Sequence, residues 1–351
     1  MNETIKLNTR QKEIVNTIAK TKSISRERLS ARLPEAFQSS KATLARDLKY
    51  LVKKGLIISI GSGPSTAYNT ASTHPLLAYV DLKQYFSIEP DNRKLAKTVF
   101  DAGVFELLPG LLESPEQSAL DKTFRSFDKS TKKLDPTILE RELERYVIEL
   151  SWKSSKIEGN TYSLLETESL IKQGIEAKGK SREEADMILN HKDACKTLIE
   201  HRTSFKKLQT KDVLELHGVL TKNLPITSGI RKQAVGITGT TYKPLSHAWE
   251  LKEAVKKMIN LVNKTAHPLE KALIVSALMT YIQPFADGNK RTARMLSNAV
   301  LLAYDHFPLS YRSINENEYK QALIIFYETN NMYHLKRLFL DQYHFAVNNY
   351  F

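Results

Sequence analysis

Tyr281-Ile282-Gln283-Pro284-Phe285-Ala286-Asp287-Gly288-Asn289-Lys290-Arg291-Thr292-Ala293-Arg294 is the most informative stretch of the chain. It separates two apolar runs with helical periodicity. Pro284 and Gly288 break the first, and a second helix opens near Asn289. The first N–H groups of a helix have no partner within it, and the helix dipole adds positive character there, so this start suits an anion. Gly288 lets a phosphate approach the backbone closely. Arg291 and Arg294 stand at i, i+3 on one face, so both guanidiniums can converge on one polyphosphate. Asp287 sits beside this positive cluster, as a Mg²⁺ ligand bridging phosphate oxygens would. The same residues also read as an ordinary capped helix start with two solvated arginines.

Outward from this stretch, helical periodicity dominates from Pro136 onward. It marks helices at Ile138–Leu150, Leu164–Ile175, Arg182–Glu200, Lys211–Leu220, Ala248–Val262, Leu269–Ile282, Lys290–Tyr304, Glu316–Thr329 and Tyr333–Ala346. Ala234–Tyr242, closed by Pro244, reads as a β-hairpin. Upstream, Thr9 caps a helix carrying Ile14, Val15 and Ile18, and Ser25 caps a second one that Pro34 stops. Ser39 or Ser40 opens a third, with Leu44, Leu48, Leu51 and Val52 in register and Gly55 as its stop. Leu56–Ile60 and Thr66–Asn69 then form strands around a turn at Gly61-Ser62-Gly63-Pro64. The expected organisation is 1–75 as the small N-terminal domain, 76–135 as a connecting region with a helix over Arg93–Leu108, and 136–351 as the main domain.

Composition narrows the class. The 351 residues carry 52 Lys+Arg against 39 Asp+Glu, a net charge of +13. Residues 1–75 hold 13 Lys+Arg and 5 Asp+Glu, so +8 of that excess lies there and +5 in the other 276 residues. A local polyanion contact accounts for this, as does a solvated basic face. With 41% hydrophobic and 26% charged residues, wholesale disorder is excluded. The single cysteine, Cys195, excludes an intramolecular disulfide framework and a cysteine-cage zinc site. The apolar runs Ala272–Val275 and Ala277–Met279 fall well short of a membrane span of ~18 residues. The polar opening Met1-Asn2-Glu3-Thr4 lacks a signal pattern, so a reducing cytoplasm and no membrane contact are expected.

The third N-terminal helix, its glycine stop and the following wing resemble a bacterial winged helix-turn-helix over about residues 7–72. Such modules lay the third helix in the major groove. Ser40, Lys41, Thr43, Arg46 and Lys49 would then face DNA, as phosphate or base-edge donors. Winged helices also serve as protein-docking or dimerisation modules, and a homodimer on two half-sites is one expectation.

Residues 284–294 resemble the signature of the Fic (Fido-fold) family, His-Pro-Phe-x-Asp/Glu-Gly-Asn-Gly/Lys-Arg-x-x-Arg. The likeness extends over roughly 136–345. Leu216-His217-Gly218-Val219-Leu220 resembles the family's preceding helix, and Ser228-Gly229-Ile230-Arg231 with the hairpin resembles its flap. Ser154-Ser155-Lys156-Ile157-Glu158-Gly159 resembles its inhibitory pattern, Ser/Thr-x-x-x-Glu-Gly/Asn. The resemblance implies a mainly α Fic core with a short β-hairpin flap, plus an α/β winged-helix domain. It implies AMP transfer from ATP to a Ser, Thr or Tyr hydroxyl of a protein, the chain itself included. Asp287 would hold Mg²⁺, Gly288 and Asn289 would cradle phosphates, and Lys290, Arg291 and Arg294 would bind the polyphosphate. Val235, Gly236, Ile237, Thr238, Gly239 and Thr240 would dock the target as an added strand. Glu158, flanked by Ser154 and Gly159, would pair with Arg294 and occupy the γ-phosphate receptor; the other reading is an exposed glutamate at a helix end.

The sequence departs from the signature at its first position, where Gln283 stands in place of histidine. A carboxamide cannot exchange a proton near neutral pH as an imidazole does. General-base assistance is worth roughly 100- to 10,000-fold, so transfer would be impaired while binding survives. His191, His217 and His247 read as packing or surface residues. Two alternatives stay open: a nucleotide-sensing DNA-binding regulator without transfer, and a phosphotransferase resembling the family's Doc branch through Lys290.

Overall fold

The computed structural model describes residues 7–19, 21, 24–61, 63, 66–71, 74–94, 96–132 and 134–350. The chain divides into two units, Met1–Arg93 and Lys94–Phe351. The connecting region expected at 76–135 is therefore shared between them, with 76–93 in the first and 94–135 in the second.

In the first unit, α1 (Thr9–Ala19), α2 (Arg26–Arg32) and α3 (Lys41–Lys53) precede β2 (Ile57–Ile60), β3 (Ala67–Thr70) and the short α4 (Leu82–Phe86). A two-residue strand, β1 (Ile24–Ser25), completes an antiparallel sheet of order β1-β3-β2, with Ser59 opposite Tyr68 and Ile60 opposite Ala67. Ile14, Val15, Ile18, Leu29, Leu44, Leu48 and Leu51 form the buried core. Of the two serines, Ser40 caps α3: its Oγ accepts from the Thr43 N–H at 3.2 Å. The cap of α1 is Asn8 rather than Thr9. Its Oδ1 accepts from the Gln11 N–H at 2.9 Å, and Gln11 Oε1 accepts from the Asn8 N–H in return. Two of the wing-turn residues, Ser62 and Pro64, lie outside the described residues.

The second unit is helical: α5 (Val104–Leu107), α6 (Ser114–Thr131), α7 (Pro136–Ile157), α8 (Leu164–Gln173), α9 (Arg182–Glu200), α10 (Thr210–Leu220), α11 (Ala248–Lys264), α12 (Pro268–Ile282), α13 (Asn289–Ala303), α14 (Glu316–Thr329) and α15 (Tyr333–Asn349). α12 lies at the centre, packed on α11, α13 and α14, and α13 also packs on α7, α9 and α10. Nearly every residue of α12 and α13 is buried. α12 is apolar around most of its circumference, as the innermost helix of a bundle must be, whereas α13 also buries Asn289, Arg291, Arg294 and Asn298.

Two sequence expectations change here. Only Val104–Leu107 of the helix expected over Arg93–Leu108 is α-helical. The other described residues of that stretch are not α-helical: the Asp101 N–H donates to the Tyr281 hydroxyl at 2.9 Å, and just past the stretch the Gly110 and Leu111 N–H groups both donate to Glu270. The hairpin expected at Ala234–Tyr242 does not form. Lys243, the residue after it, pairs instead with the 98–99 segment, its N–H donating to the Thr98 carbonyl and a parallel bridge joining it to Val99. Gly236 and Gly239 bring no side chains to stabilise cross-strand pairing.

Gly55 ends α3 with φ of +67°, and no atom would lie within 4 Å of an added Cβ. Its replacement by alanine should thus cost backbone conformational energy alone, about 1 kcal/mol. Denaturant unfolding followed by a probe in the first unit should show the lower midpoint.

Candidate functional site

The turn between α12 and α13 is built by polar bonds to its own backbone. Gln283 ends α12 with φ of +51°, and Gly288 precedes α13 with φ of +80°. A Cβ on Gly288 would lie 3.2 Å from Thr221 Cγ2 and 3.4 Å from His217 Nε2, so glycine is required for space as well as conformation. The Asn289 amide bridges the turn: Oδ1 accepts from the Phe285 N–H at 2.9 Å, and Nδ2 donates to the Phe285 carbonyl at 2.8 Å. Asn289, expected to cradle phosphate, thus spends its side chain shaping the turn. His217 stacks on Phe285 with ring centroids 3.6 Å apart and donates from Nε2 to the Asp287 carbonyl at 3.0 Å. Burial lowers the His217 pKa, which keeps the ring neutral.

This turn aims two arginines into the protein. Arg294 is fully buried and Arg291 is 2% exposed. Arg291 Nη2 lies 3.0 Å from the exposed Asp287 carboxylate, whereas Arg291 Nε and Nη1 and Arg294 Nη1 are buried and have no partner. Buried donors left unpaired are costly, and guanidinium nitrogens most of all.

Opposite stands the C-terminal end of α7. Glu158 closes this helix, and Gly159 follows with φ of +101°. Glu158 Oε1 lies 2.9 Å from Arg294 Nη2, an ion pair without hydrogen-bond alignment, and Oε2 accepts from Lys290 Nζ at 3.1 Å. Burial by itself would raise the Glu158 carboxyl; Arg294 and Lys290 outweigh it and hold the group down at about 2. Ser154, one turn earlier, takes the other edge of Arg294. Its Oγ accepts from Nε and its carbonyl from Nη2, both at 2.9 Å. The sequence expectation of a Glu158–Arg294 pair is met in the geometry, and Lys290 joins it.

Gln283 is 93% buried, with 7% exposure, and its carboxamide turns back to donate to the Thr280 carbonyl at 2.7 Å. Its own carbonyl accepts from Arg231 Nε at 2.8 Å. Arg231 also donates through Nη1 to the Gln233 carbonyl at 2.5 Å, and through Nη2 to the Leu245 carbonyl. One buried guanidinium therefore ties the 233–245 segment to the turn. The sequence flagged Arg231 only as part of a flap motif; three carbonyl partners so far apart along the chain have no signature in it. Val235–Thr240 lies in the same segment as exposed or half-exposed coil. The expected packing roles of the histidines also sharpen: His191 is buried against Ser154, His217 supports the turn, and His247 is exposed just before α11.

In the first unit, Ser40, Lys41, Arg46 and Lys49 are exposed and Thr43 is half-buried; Thr43, Arg46 and Lys49 lie on the side of α3 away from Leu44, Leu48 and Leu51, and Ser40 and Lys41 at its N-terminal end. Arg46 Nη2 donates to Thr43 Oγ1 at 3.4 Å. Among the described residues no three His, Cys, Asp or Glu side chains gather as a metal cage, and no helix is long and apolar enough to cross a membrane.

Residues 207–301 match the Fic/DOC family, and residues 10–63 match the DeoR-like helix-turn-helix domain. The chain is 28% identical over 282 residues to "Protein adenylyltransferase Fic" of Nematostella vectensis, covering 73% of this chain and 64% of that protein. It is 30% identical to the Drosophila yakuba protein of the same name, over 49% of this chain and 35% of that one. It thus spans less than two thirds of the length of these curated relatives. Fic-1 from C. elegans shares the fold with a TM-score of 0.54 at 24% identity, over 68% of this chain and 73% of that one. A Fic domain containing signaling protein from Bacteroides thetaiotaomicron gives 0.55 at 20% identity, over 65% of this chain and 95% of that one.

The Glu158 contacts carry a pH signature. The carboxyl falls from an ordinary 4.5 to about 2 on folding, so its contribution is full above pH 4.5 and is lost as pH falls through 2. Glu158→Gln should cost on the order of 2–3 kcal/mol at pH 7. Denaturant melts of both proteins between pH 7 and pH 3 should show that gap narrowing below pH 4.5; a constant gap would remove the charge from the account.

Proposed function

We propose, for a chain that carries a Fic/DOC-family domain behind a DeoR-like helix-turn-helix, that it is a protein adenylyltransferase held shut by Glu158 and slowed by Gln283. It would move AMP from ATP to a protein hydroxyl. The observation that carries this reading is the set of buried, unpartnered guanidinium nitrogens on Arg291 and Arg294 beside the start of α13. Triphosphate is the ligand that satisfies several such donors at once. The family match and the name shared by the relatives support AMP as the transferred group.

In this reading Gly288 and the first N–H groups of α13 receive phosphate oxygens. Lys290, Arg291 and Arg294 offset the charge of the β- and γ-phosphates. Asp287 fits a divalent cation: its carboxylate is exposed, and without a protein cage the remaining ligands would be phosphate oxygens and water. Bound there, Mg²⁺ would neutralise phosphate charge. The 235–240 segment would offer its backbone to a target as a pairing edge, which its exposed or half-exposed irregular backbone supports. Glu158 occupies Arg294 and Lys290, so a nucleotide must displace it or bind with its α-phosphate misaligned for attack.

Gln283 cannot take the proton of the attacking hydroxyl. That favours a second reading, in which the nucleotide is sensed more than consumed and the exposed face of α3 binds DNA, singly or as a homodimer. A cytoplasmic setting suits both readings.

Separate incubations with α- and γ-labelled ATP distinguish the chemistries. Gln283→His should incorporate α-label into protein, by roughly 100-fold over the parent chain, and adding Glu158→Gly should raise it further. Incorporation of γ-label would instead indicate phosphotransfer, and the absence of ATP binding by calorimetry in every form would remove the nucleotide altogether.

Arg46→Ala should weaken binding to the protein's own promoter DNA by roughly three- to tenfold at moderate salt and flatten the salt dependence. Unchanged affinity would take α3 out of the groove.

A further inference from the structure

We infer that His191 is a positioning residue that fixes the guanidinium of Arg294 in a phosphate-receiving orientation through the hydroxyl of Ser154. The inference rests on the nucleotide reading above and concerns how its receptor is held.

The hydrogen bonds have a direction, set at one end. A carbonyl only accepts, so His191 Nδ1, 2.8 Å from the Met187 carbonyl, carries the ring proton. Ser155 Oγ, 3.4 Å from the same nitrogen, can share it. Burial lowers the His191 pKa to about 3, with Arg294 and Arg291 adding to the effect, so the ring is neutral. Nε2 is then left as an acceptor. The Ser154 hydroxyl, 2.7 Å from Nε2, must donate its single proton there. It can only turn lone pairs toward its other neighbour, the Nε–H of Arg294 at 2.9 Å. Ser154, His191 and Arg294 are all fully buried, so water cannot substitute for any link.

The consequence is specific. Nε and Nη2 of Arg294 are held on Ser154, and Nη1 is left unpartnered. None of these bonds involves Glu158. His191 should therefore hold Arg294 in place after Glu158 has gone, which separates its role from the inhibitory contact. Without an acceptor at the Nε2 position, the Ser154 proton must seek another partner, and its oxygen no longer faces Arg294.

The test uses the full chain carrying Glu158→Gly, titrated calorimetrically with ATP and Mg²⁺. Binding by this variant is the check on the nucleotide reading; no binding overturns that reading itself. Against it stand His191→Gln, whose amide oxygen reaches the Nε2 position, His191→Asn, whose amide reaches only the Nδ1 position, and His191→Leu. Glutamine should preserve affinity within about twofold, and asparagine and leucine should weaken it roughly tenfold or more. Equal affinity in all forms, or equal losses in glutamine and asparagine, overturns the inference. Should the leucine variant fail to fold, the contrast between the two amides decides alone.

Discussion

A guanidinium with no solvent around it must be given partners, and Arg294 is such a group. It lies at the contact of α7 and α13 with no exposed surface, and isolated charges in such places cost several kcal/mol or more. Ser154 supplies two acceptors and Glu158 a countercharge. The cost of burying Arg294 is thus offset from one helix end, and the same helix end controls what else can reach it. In the proposed reading, inhibition and structural satisfaction share their atoms.

The turn beneath shows the opposite economy. Phe285, Asn289, His217 and Arg231 fix its backbone at five points without touching the side chains that would meet a ligand. Gln283 occupies the one position where the signature asks for a proton carrier, and it spends its amide on the helix it terminates. The turn's backbone is fully tied, and the side chain at its first position serves as a helix cap.

Much of this was legible in the sequence, because the elements with strong local signals formed as read. The bounds of α9 and α14 are those read from periodicity, and Ser181 and Asn315 cap them in the structure. The signature residues came together, and so did Glu158 and Arg294, 136 positions apart by their numbers. What could not be read depends on partners distant in sequence. Tyr281 and Glu270 order a coil that has no periodicity of its own. The 234–242 segment has hairpin composition, yet the residues flanking it are held elsewhere, Lys243 by Thr98 and Gln233 by Arg231. His191 sits on an apolar helix face like many packing residues, and only the fold reveals that Ser154 lies against it.

The pairing of Asp287 with Arg291 has a thermodynamic corollary. A carboxylate and a guanidinium four residues apart neutralise each other while the site is empty. An anion that draws the arginine inward liberates the carboxylate, and a cation that captures the carboxylate liberates the arginine. Species of opposite sign entering this pocket should therefore assist one another, each lowering the entry cost of the other through a single turn of helix.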